Sequence, residues 1–213
     1  MTDIHSHILY GLDDGSPDLR TSKKMLSAAR AAGVDRIIAT PHVRTLPFDF
    51  SAAYQTFDVV REAAQQQGIQ LELGFEVHWN ALLTFDEQSY RKLCFENTRN
   101  ILIEFSLSAD ALPDGHTRMI YRLQRSGLNV IIAHPERYRF VQDDRSMADF
   151  WHDMGCSLQL DAICLLRGYE RKSKPTARKL FKADAYDYIA SDAHCPEDYA
   201  LFAKAMEWVE RRG

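Results

Sequence analysis

The chain has 213 residues, of which 46% are hydrophobic and 26% charged, a balance typical of one folded domain rather than of a disordered chain. Its formal net charge of −4 argues against a protein that coats nucleic acid, because such proteins carry a basic surface. No stretch approaches the roughly 20 apolar residues that a membrane-spanning helix needs. We therefore expect a single cytoplasmic domain over residues 1–213, with neither a nucleic-acid partner nor membrane insertion.

The four cysteines show no CxxC pair and no disulfide-framework spacing, so we expect free thiols in a reducing cytosol. One common type of nucleophilic cysteine is followed by an arginine six residues later in the chain. The residues at that distance from Cys94, Cys156, Cys164 and Cys195 are asparagine, alanine, glutamate and leucine. This pattern argues against cysteine chemistry.

Short apolar runs alternate with helix-like stretches along the whole chain. The first run surrounds Ile4, and Ser16-Pro17-Asp18 then predicts the start of a helix with Ser16 as its N-cap. Further helices are predicted over 116–126 and about 197–212. Four glycines end a helix-like stretch and precede an apolar run, as helix C-caps do; they are Gly33, Gly68, Gly127 and Gly155.

Seven apolar runs recur about every 30 residues, which is the length of a βα unit. They are nearly continuous in hydrophobicity, as are strands buried on both faces of a parallel sheet. The pattern predicts an α/β fold with seven βα units. A closed or nearly closed barrel is favoured, and an open doubly wound sheet is the alternative.

Histidines and carboxylates follow these predicted strands. Those selected as candidate metal ligands are His5, His7, Asp14, His42, Glu76, Glu104, His134, Asp192 and His194. Because the carboxyl ends of parallel strands meet at one face, these side chains are expected to converge. Burying so many of them without a countercharge is costly, and metal ions supply that charge. Imidazole together with carboxylate suits Zn, Mn or Fe rather than Ca.

Five further histidines and aspartates are not included among the candidate metal ligands. His78 is expected at the surface, and His116 and His152 are expected on helices as solvated or structural residues. Asp13 is expected to shape its loop rather than to bind metal. Asp161 is left open between a ligand and a residue that supports one.

Five segments carry a resemblance to a known superfamily: DIHSH at 3–7, TPH at 40–42, GFE at 74–76, AHPERY at 133–138 and SDAH at 191–194. In this order they resemble the polymerase-and-histidinol-phosphatase (PHP) superfamily. Within it, the chain is most similar to the metal-dependent protein-tyrosine phosphatases that act beside bacterial capsular and exopolysaccharide tyrosine kinases. That closer likeness depends on DIHSHILYGLDDG at 3–15, ILIEFS at 101–106 and AHPERY.

The resemblance implies a distorted (β/α)7 TIM-like barrel, the PHP fold, that holds three divalent metal ions at the strand ends. His5, His7 and Asp192 would hold the first ion, with Glu76 bridging to the second. Glu104 and His134 would complete the second site, whereas Asp14, His42 and His194 would form the third. Manganese is the expected metal, with iron or zinc as alternatives.

The resemblance also implies the reaction, hydrolysis of a phosphomonoester by a metal-activated hydroxide. The candidate catalytic residues are Arg137, Asp192 and His194, and Arg137 matches an arginine proposed to bind phosphate. The segment CPEDYA after His194 departs from the family because it lacks a second such arginine.

We therefore predict a protein-tyrosine phosphatase whose substrate is a phosphotyrosine protein, a bacterial tyrosine kinase of polysaccharide synthesis or export. One alternative is a phosphatase of a small molecule, such as histidinol phosphate or a nucleotide, that uses the same three metals. Another is a binding module without catalysis.

Overall fold

Parallel strands place their carboxyl ends on one side of the molecule. The computed structural model describes residues 1–169 and 172–212. Its strands are β1 Thr2–Ser6, β2 Arg36–Ala39, β3 His42–Val43, β4 Gln70–Leu73, β5 Glu76–His78, β6 Asn100–Glu104, β7 Asn129–Ala133, β8 Ser157–Asp161 and β9 Tyr188–Ala190. They form two sheets with the orders β1-β2-β4 and β3-β5-β6-β7-β8-β9. All pairings of these strands are parallel, so the predicted α/β class is confirmed.

Two of the seven predicted strands are each divided into two segments. Thr40 and Pro41 separate β2 from β3, and Gly74 and Phe75 separate β4 from β5. Proline has no N–H to donate to a neighbouring strand, which explains the first interruption. The two segments of each divided strand belong to different sheets, and this is why two sheets are present instead of one.

The first and last strands meet at their carboxyl ends. An isolated parallel bridge joins Ser6 to Ala193. The N–H of His7 donates to the carbonyl of Ala193 at 2.9 Å, and the N–H of Asp192 donates to that of His5 at 3.0 Å. The two ends of the chain are thereby fixed side by side.

In the part of the chain that the structure describes, eight α-helices connect or follow the strands: α1 Leu19–Ala31, α2 Phe50–Gln66, α3 Trp79–Leu82, α4 His116–Arg125, α5 Arg139–Asp143, α6 Ser146–Asp153, α7 Ser173–Lys182 and α8 Pro196–Glu210. The four glycines predicted as C-caps all have left-handed φ values, between 69° and 81°. Among the residues described, no helix is both long and apolar enough to cross a membrane.

The prediction that Ser16 caps α1 is wrong. Asp18 is the N-cap, and its carboxylate accepts a hydrogen bond from the N–H of Thr21 at 2.7 Å. Ser16 is buried instead, where its hydroxyl donates to the carbonyl of Asp18 and lies 2.9 Å from that of Ser22. Its role is to hold the preceding loop against the helix.

The described residues form three buried apolar clusters. The largest packs helices against the outside of the sheets, and includes Phe105 stacked on Trp151 with 5.8 Å between ring centroids. The smallest consists of Leu160, Cys164, Leu165 and Ala177 and packs α7 against β8 and the turn that follows it. The remaining cluster takes side chains from five strands and, with Phe95, from the segment before β6: Ile4, Ile38, Phe95, Leu102, Ile131, Ala133 and Ala190. The first and last strands both contribute to it.

Candidate metal centre

Glu76 lies at the centre of the histidine cluster and is fully buried. Its Oε2 atom is 3.3 Å from His5 Nε2, 3.4 Å from His7 Nε2 and 2.9 Å from His42 Nδ1. Its Oε1 atom is 2.8 Å from His134 Nε2. Burial alone would raise the pKa of Glu76, but the charges of His5 and His42 hold it well below its usual range. One carboxylate therefore contacts four imidazoles, which come from three strands or their ends, β1, β3 and β7.

Asp192 is the second buried carboxylate of the cluster. Its Oδ1 atom is 3.3 Å from His5 Nε2 and 3.2 Å from His7 Nε2. Its other oxygen accepts a hydrogen bond from Arg137 Nη1 at 2.7 Å. The same carboxylate thus connects two candidate ligands to the candidate phosphate-binding arginine.

A more exposed group lies beside this pair of carboxylates. Asp14 Oδ1 is 3.4 Å from His42 Nε2 and 3.7 Å from His194 Nε2. The ring of His194 stacks on that of His7 at a centroid distance of 4.1 Å. The side chains of Asp14 and His194 are 54% and 31% exposed, so this part of the cluster opens to solvent.

The structure brings all nine candidate ligands into four overlapping groups whose ligand atoms lie within 4.8 Å of one another. The groups are His7, Asp14, His42 and His194; His5, Glu76 and His134; His5, His7 and Asp192; and His42, Glu76 and Glu104. Glu104 therefore lies with His42 and Glu76, at 3.1 Å from His42 Nδ1. The resemblance had placed it with His134.

Several buried atoms of the cluster lack a hydrogen-bond partner of good geometry, namely Glu76 Oε2, Glu104 Oε1, Asp192 Oδ1, His42 Nδ1 and His134 Nδ1. Carboxylate oxygens left in this state are costly unless a cation lies against them. The donor set of imidazole nitrogens and carboxylate oxygens suits divalent transition-metal ions. The residues present therefore fit a metal centre.

Three of the histidines are held through Nδ1, which leaves Nε2 facing the cluster. His5 Nδ1 lies 2.9 Å from Gln159 Oε1, His7 Nδ1 lies 2.8 Å from Asp13 Oδ2, and His194 Nδ1 lies 2.8 Å from the carbonyl of Asp192. Because these oxygens can only accept, each Nδ1 carries a proton, and Nε2 is the nitrogen that a metal ion can bind once it is deprotonated.

Asp13 shapes its loop, as predicted. Its carboxylate accepts from the N–H groups of Gly15 and His42, at 3.0 Å each, besides contacting His7. Burial alone would raise the pKa of Asp13, but the bond to His7 lowers it to about 2. This loop residue therefore remains ionised.

Two of the candidate ligands adopt a left-handed backbone that residues other than glycine rarely take. His134 has φ 32° and Asp192 has φ 48°. Such conformations cost on the order of 1 kcal/mol or more and persist where the surroundings require them. His134 directly follows β7 and Asp192 lies two residues after the end of β9, and both side chains reach the cluster.

Asp161 lies outside the histidine cluster. Its carboxylate accepts from the N–H of Ile163 at 2.9 Å and groups with Glu136 and Cys164, all three buried. Burial and the neighbouring charge of Asp192 raise its pKa well above the usual value. This position favours a supporting role over a ligand role.

The remaining histidines are separated from the cluster. His78 is half-buried, caps α3 by accepting from the N–H of Asn80, and borders a cleft beside Glu104. His152 on α6 contacts Asp187, and His116 starts α4. The four cysteines are free thiols.

Sequence reasoning missed two residues that contact the cluster, Gln159 and Arg44. Gln159 is two residues before Asp161 on β8, and Arg44 is two residues after His42. Alternation along a strand places such residues on the same side as the polar residue already selected, so a signal was present. Arg167 also reaches the segment after His194, because its Nη2 lies 3.4 Å from Asp198 Oδ1.

Comparison with known proteins identifies the family. The family described as "Capsular polysaccharide synthesis, CpsB/CapC" matches residues 1–213. Tyrosine-protein phosphatase YwqE of Bacillus subtilis is 32% identical over 203 residues, covering 91% of this chain and 77% of that protein. Tyrosine-protein phosphatase CpsB of Streptococcus pneumoniae is 30% identical over 205 residues, covering 91% and 83%.

This chain is also similar to a solved structure of the same family. That structure belongs to the crystal structures of YwqE from Bacillus subtilis and CpsB from Streptococcus pneumoniae, which are described as unique metal-dependent tyrosine phosphatases. The match has a TM-score of 0.85 at 28% identity and covers 100% of this chain and 87% of the other. The chain belongs to the CpsB/CapC family, and the resemblance to capsule-associated phosphatases is confirmed.

Proposed function

We propose that this protein is a metal-dependent protein-tyrosine phosphatase of capsular or exopolysaccharide synthesis. Its substrate would be a phosphotyrosine protein, specifically a bacterial tyrosine kinase of polysaccharide synthesis or export. The observation that carries the proposal is the buried carboxylate of Glu76 in contact with four imidazoles. The named activity of the related proteins YwqE and CpsB supports the choice of substrate.

The centre would hold three divalent ions, with manganese as the favoured metal. His5, His7 and Asp192 would hold the first, and Glu76 would bridge to the second, with Glu104 and His134. Asp14, His42 and His194 would hold the third. The short distances from Glu76 to His5 and His134 support the bridging role.

The proposed architecture is a single PHP domain over residues 1–213 with a distorted (β/α)7 barrel. The hydrogen bonds between the ends of β1 and β9 support closure. An apolar cluster supports it too, because Ile4 of the first strand and Ala190 of the last pack into the same group.

The protein's own residues would bind and orient the phosphoester. Divalent ions at such a site lower the pKa of water and neutralise charge on a phosphoryl group. Asp192 holds the guanidinium of Arg137 at 2.7 Å, so this donor is oriented before substrate arrives. His194 is the most exposed imidazole of the cluster, and we place it facing the bound phosphoester. A phenolic leaving group needs less protonation than an alkyl one.

The test is phosphatase activity after chelation and re-addition of Mn²⁺, Zn²⁺, Mg²⁺ or Fe²⁺. A phosphotyrosine peptide, a phosphoserine peptide and histidinol phosphate would be compared. We expect metal-restored activity that is strongest on phosphotyrosine and is lost in His5→Ala.

The matched control is His152→Ala, because this histidine lies on α6 and contacts Asp187 outside the cluster. It should keep wild-type activity. Restored activity on histidinol phosphate alone would retain the metal centre but replace the substrate. No activity with any ion, in protein that elemental analysis shows to contain metal, would favour a non-catalytic binding module.

A further inference from the structure

Arg44 contacts three of the proposed metal ligands with one guanidinium. It lies in the loop directly after β3, and its side chain is 51% exposed. Its Nη2 atom is 2.6 Å from His42 Nε2 and 3.2 Å from Asp14 Oδ2. Its Nε atom is 3.8 Å from Glu104 Oε1. A permanent cation thus lies against atoms that are proposed to hold the third ion.

Arg44 in this position and an ion on His42 exclude each other. A guanidinium can only donate, so the contact with His42 uses the lone pair of Nε2. A divalent ion on His42 needs the same lone pair. It would also bring a second positive charge close to the guanidinium, which is unfavourable at short range in a partly buried site. Binding of the ion therefore requires the Arg44 side chain to move.

A cleft beside the cluster offers Arg44 a second position. The cleft has a volume of about 500 Å³, and Arg44 itself forms part of its wall. The wall also includes His78, Asn80, Glu104 and Ser106. Because Glu104 belongs to both the cleft and the cluster, an anion bound at the centre would lie within reach of a guanidinium in the cleft. Arginine pairs with phosphate through two parallel N–H donors.

We propose that Arg44 alternates between two roles, as a substitute cation on His42 and Asp14 when the third ion is absent and as a ligand of the substrate's phosphate group when that ion is bound. The second role rests on the phosphatase function proposed above. Arg44 would join Arg137 in binding phosphate, and it would make phosphate binding depend on complete metal loading.

The test compares Arg44→Met, which removes the charge and the donors, with Arg44→Lys, which keeps the charge. Arg211→Met is the matched control, because Arg211 is exposed and pairs with Glu207 on α8. The affinity for Mn²⁺ would be measured by competition with a metal-binding dye. The affinity of the metal-loaded proteins for inorganic phosphate would be measured by calorimetry, and thermal unfolding would verify that each variant folds.

We expect the Arg44→Met protein to bind the most weakly held of its Mn²⁺ ions about tenfold more tightly than wild type does. The reason is that the guanidinium no longer competes with this ion for His42 and Asp14. Its affinity for phosphate should fall by about tenfold, the effect of losing one hydrogen bond to a charged group. Arg44→Lys should retain part of the phosphate affinity, and the control should match wild type in both measurements.

An unchanged Mn²⁺ affinity in folded Arg44→Met would overturn the substitute-cation role. An unchanged phosphate affinity would overturn the substrate role. Neither measurement needs turnover, so both remain readable if the wild-type protein fails to hydrolyse phosphotyrosine. In that case the proposed function would fail while the metal competition at Arg44 could still be demonstrated.

Discussion

Gln159 lies on β8 with its amide oxygen 2.9 Å from His5 Nδ1, at a position that is fully buried. This contact keeps the proton on Nδ1 and directs Nε2 towards Glu76 and Asp192. Partners that orient a metal-binding histidine commonly affect metal affinity by 10- to 100-fold.

Gln159→Leu should therefore weaken Mn²⁺ binding by about tenfold, because the imidazole of His5 loses the acceptor that fixes its orientation. Competition with a metal-binding dye measures this. Gln55→Leu, at an exposed position on α2, is the control and should bind as wild type does. Equal affinities for the two variants would mean that Gln159 does not orient His5.

At the scale of elements, the loop between β1 and α1 is packed unusually close to the first strand end. The N–H of Ser16 donates to the carbonyl of His7 at 3.0 Å. A Cβ at Gly15 would lie under 3.0 Å from both the carbonyl oxygen and the Cβ of His7. Only glycine fits this approach, because the neighbouring atoms include backbone that cannot turn away.

Gly15→Ala should separate the loop from β1 and displace His7. We expect a loss of about 1–3 kcal/mol in the free energy of unfolding, the range for overpacked sites, together with weaker metal binding. Denaturant unfolding measures the first effect. Pro17→Ala changes an exposed residue of the same loop and should remain close to wild type. A Gly15→Ala protein with wild-type stability would show that the loop relaxes without cost.

The elements also show what the sequence could and could not predict. The convergence of the candidate ligands was predictable because they follow apolar runs, and the parallel arrangement of the strands then brings them together. The division of β2 from β3 was missed, although Pro41 within the pattern was a signal for it. Ser16 was chosen as a cap over Asp18 because both are good N-caps, and only burial of the Ser16 hydroxyl against Ser22 distinguishes them.

Arg44 and Gln159 were missed for a different physical reason. Neither is a metal ligand by type, and their importance comes from distances between residues far apart in the chain. Gln159 contacts His5 across 154 positions. Periodicity along a strand indicates the side on which each side chain lies, whereas only the register between strands shows which candidate ligand it contacts.

For the whole molecule, proton binding and metal binding compete at the same imidazoles. Burial alone would lower the pKa of His5, but Glu76 and Asp192 raise it to about 9 in the absence of metal. A histidine whose pKa is raised on folding stabilises the fold below its unfolded pKa of about 6.5. That contribution disappears as pH rises through about 9. The metal-free protein should therefore lose stability over this window.

Metal affinity, in contrast, increases as pH rises, because an ion requires the deprotonated Nε2. The rise in unfolding temperature on adding Mn²⁺ should be larger at a pH of about 8.5 than at about 6.5. Thermal unfolding with and without the ion measures this, in buffers that do not bind manganese. The same rise at both values would contradict competition between protons and metal.

The hydrogen bonds between the ends of β1 and β9 join residues that are far apart in the chain, so they can form only after both segments have been synthesised. Of the candidate ligands, His5 and His7 are synthesised before Asp192 and His194, which complete two of the four candidate groups. The group of His42, Glu76 and Glu104 is available much sooner. An ion held there by the nascent chain would wait until the segment that carries Asp192 and His194 had been synthesised before the remaining groups could form.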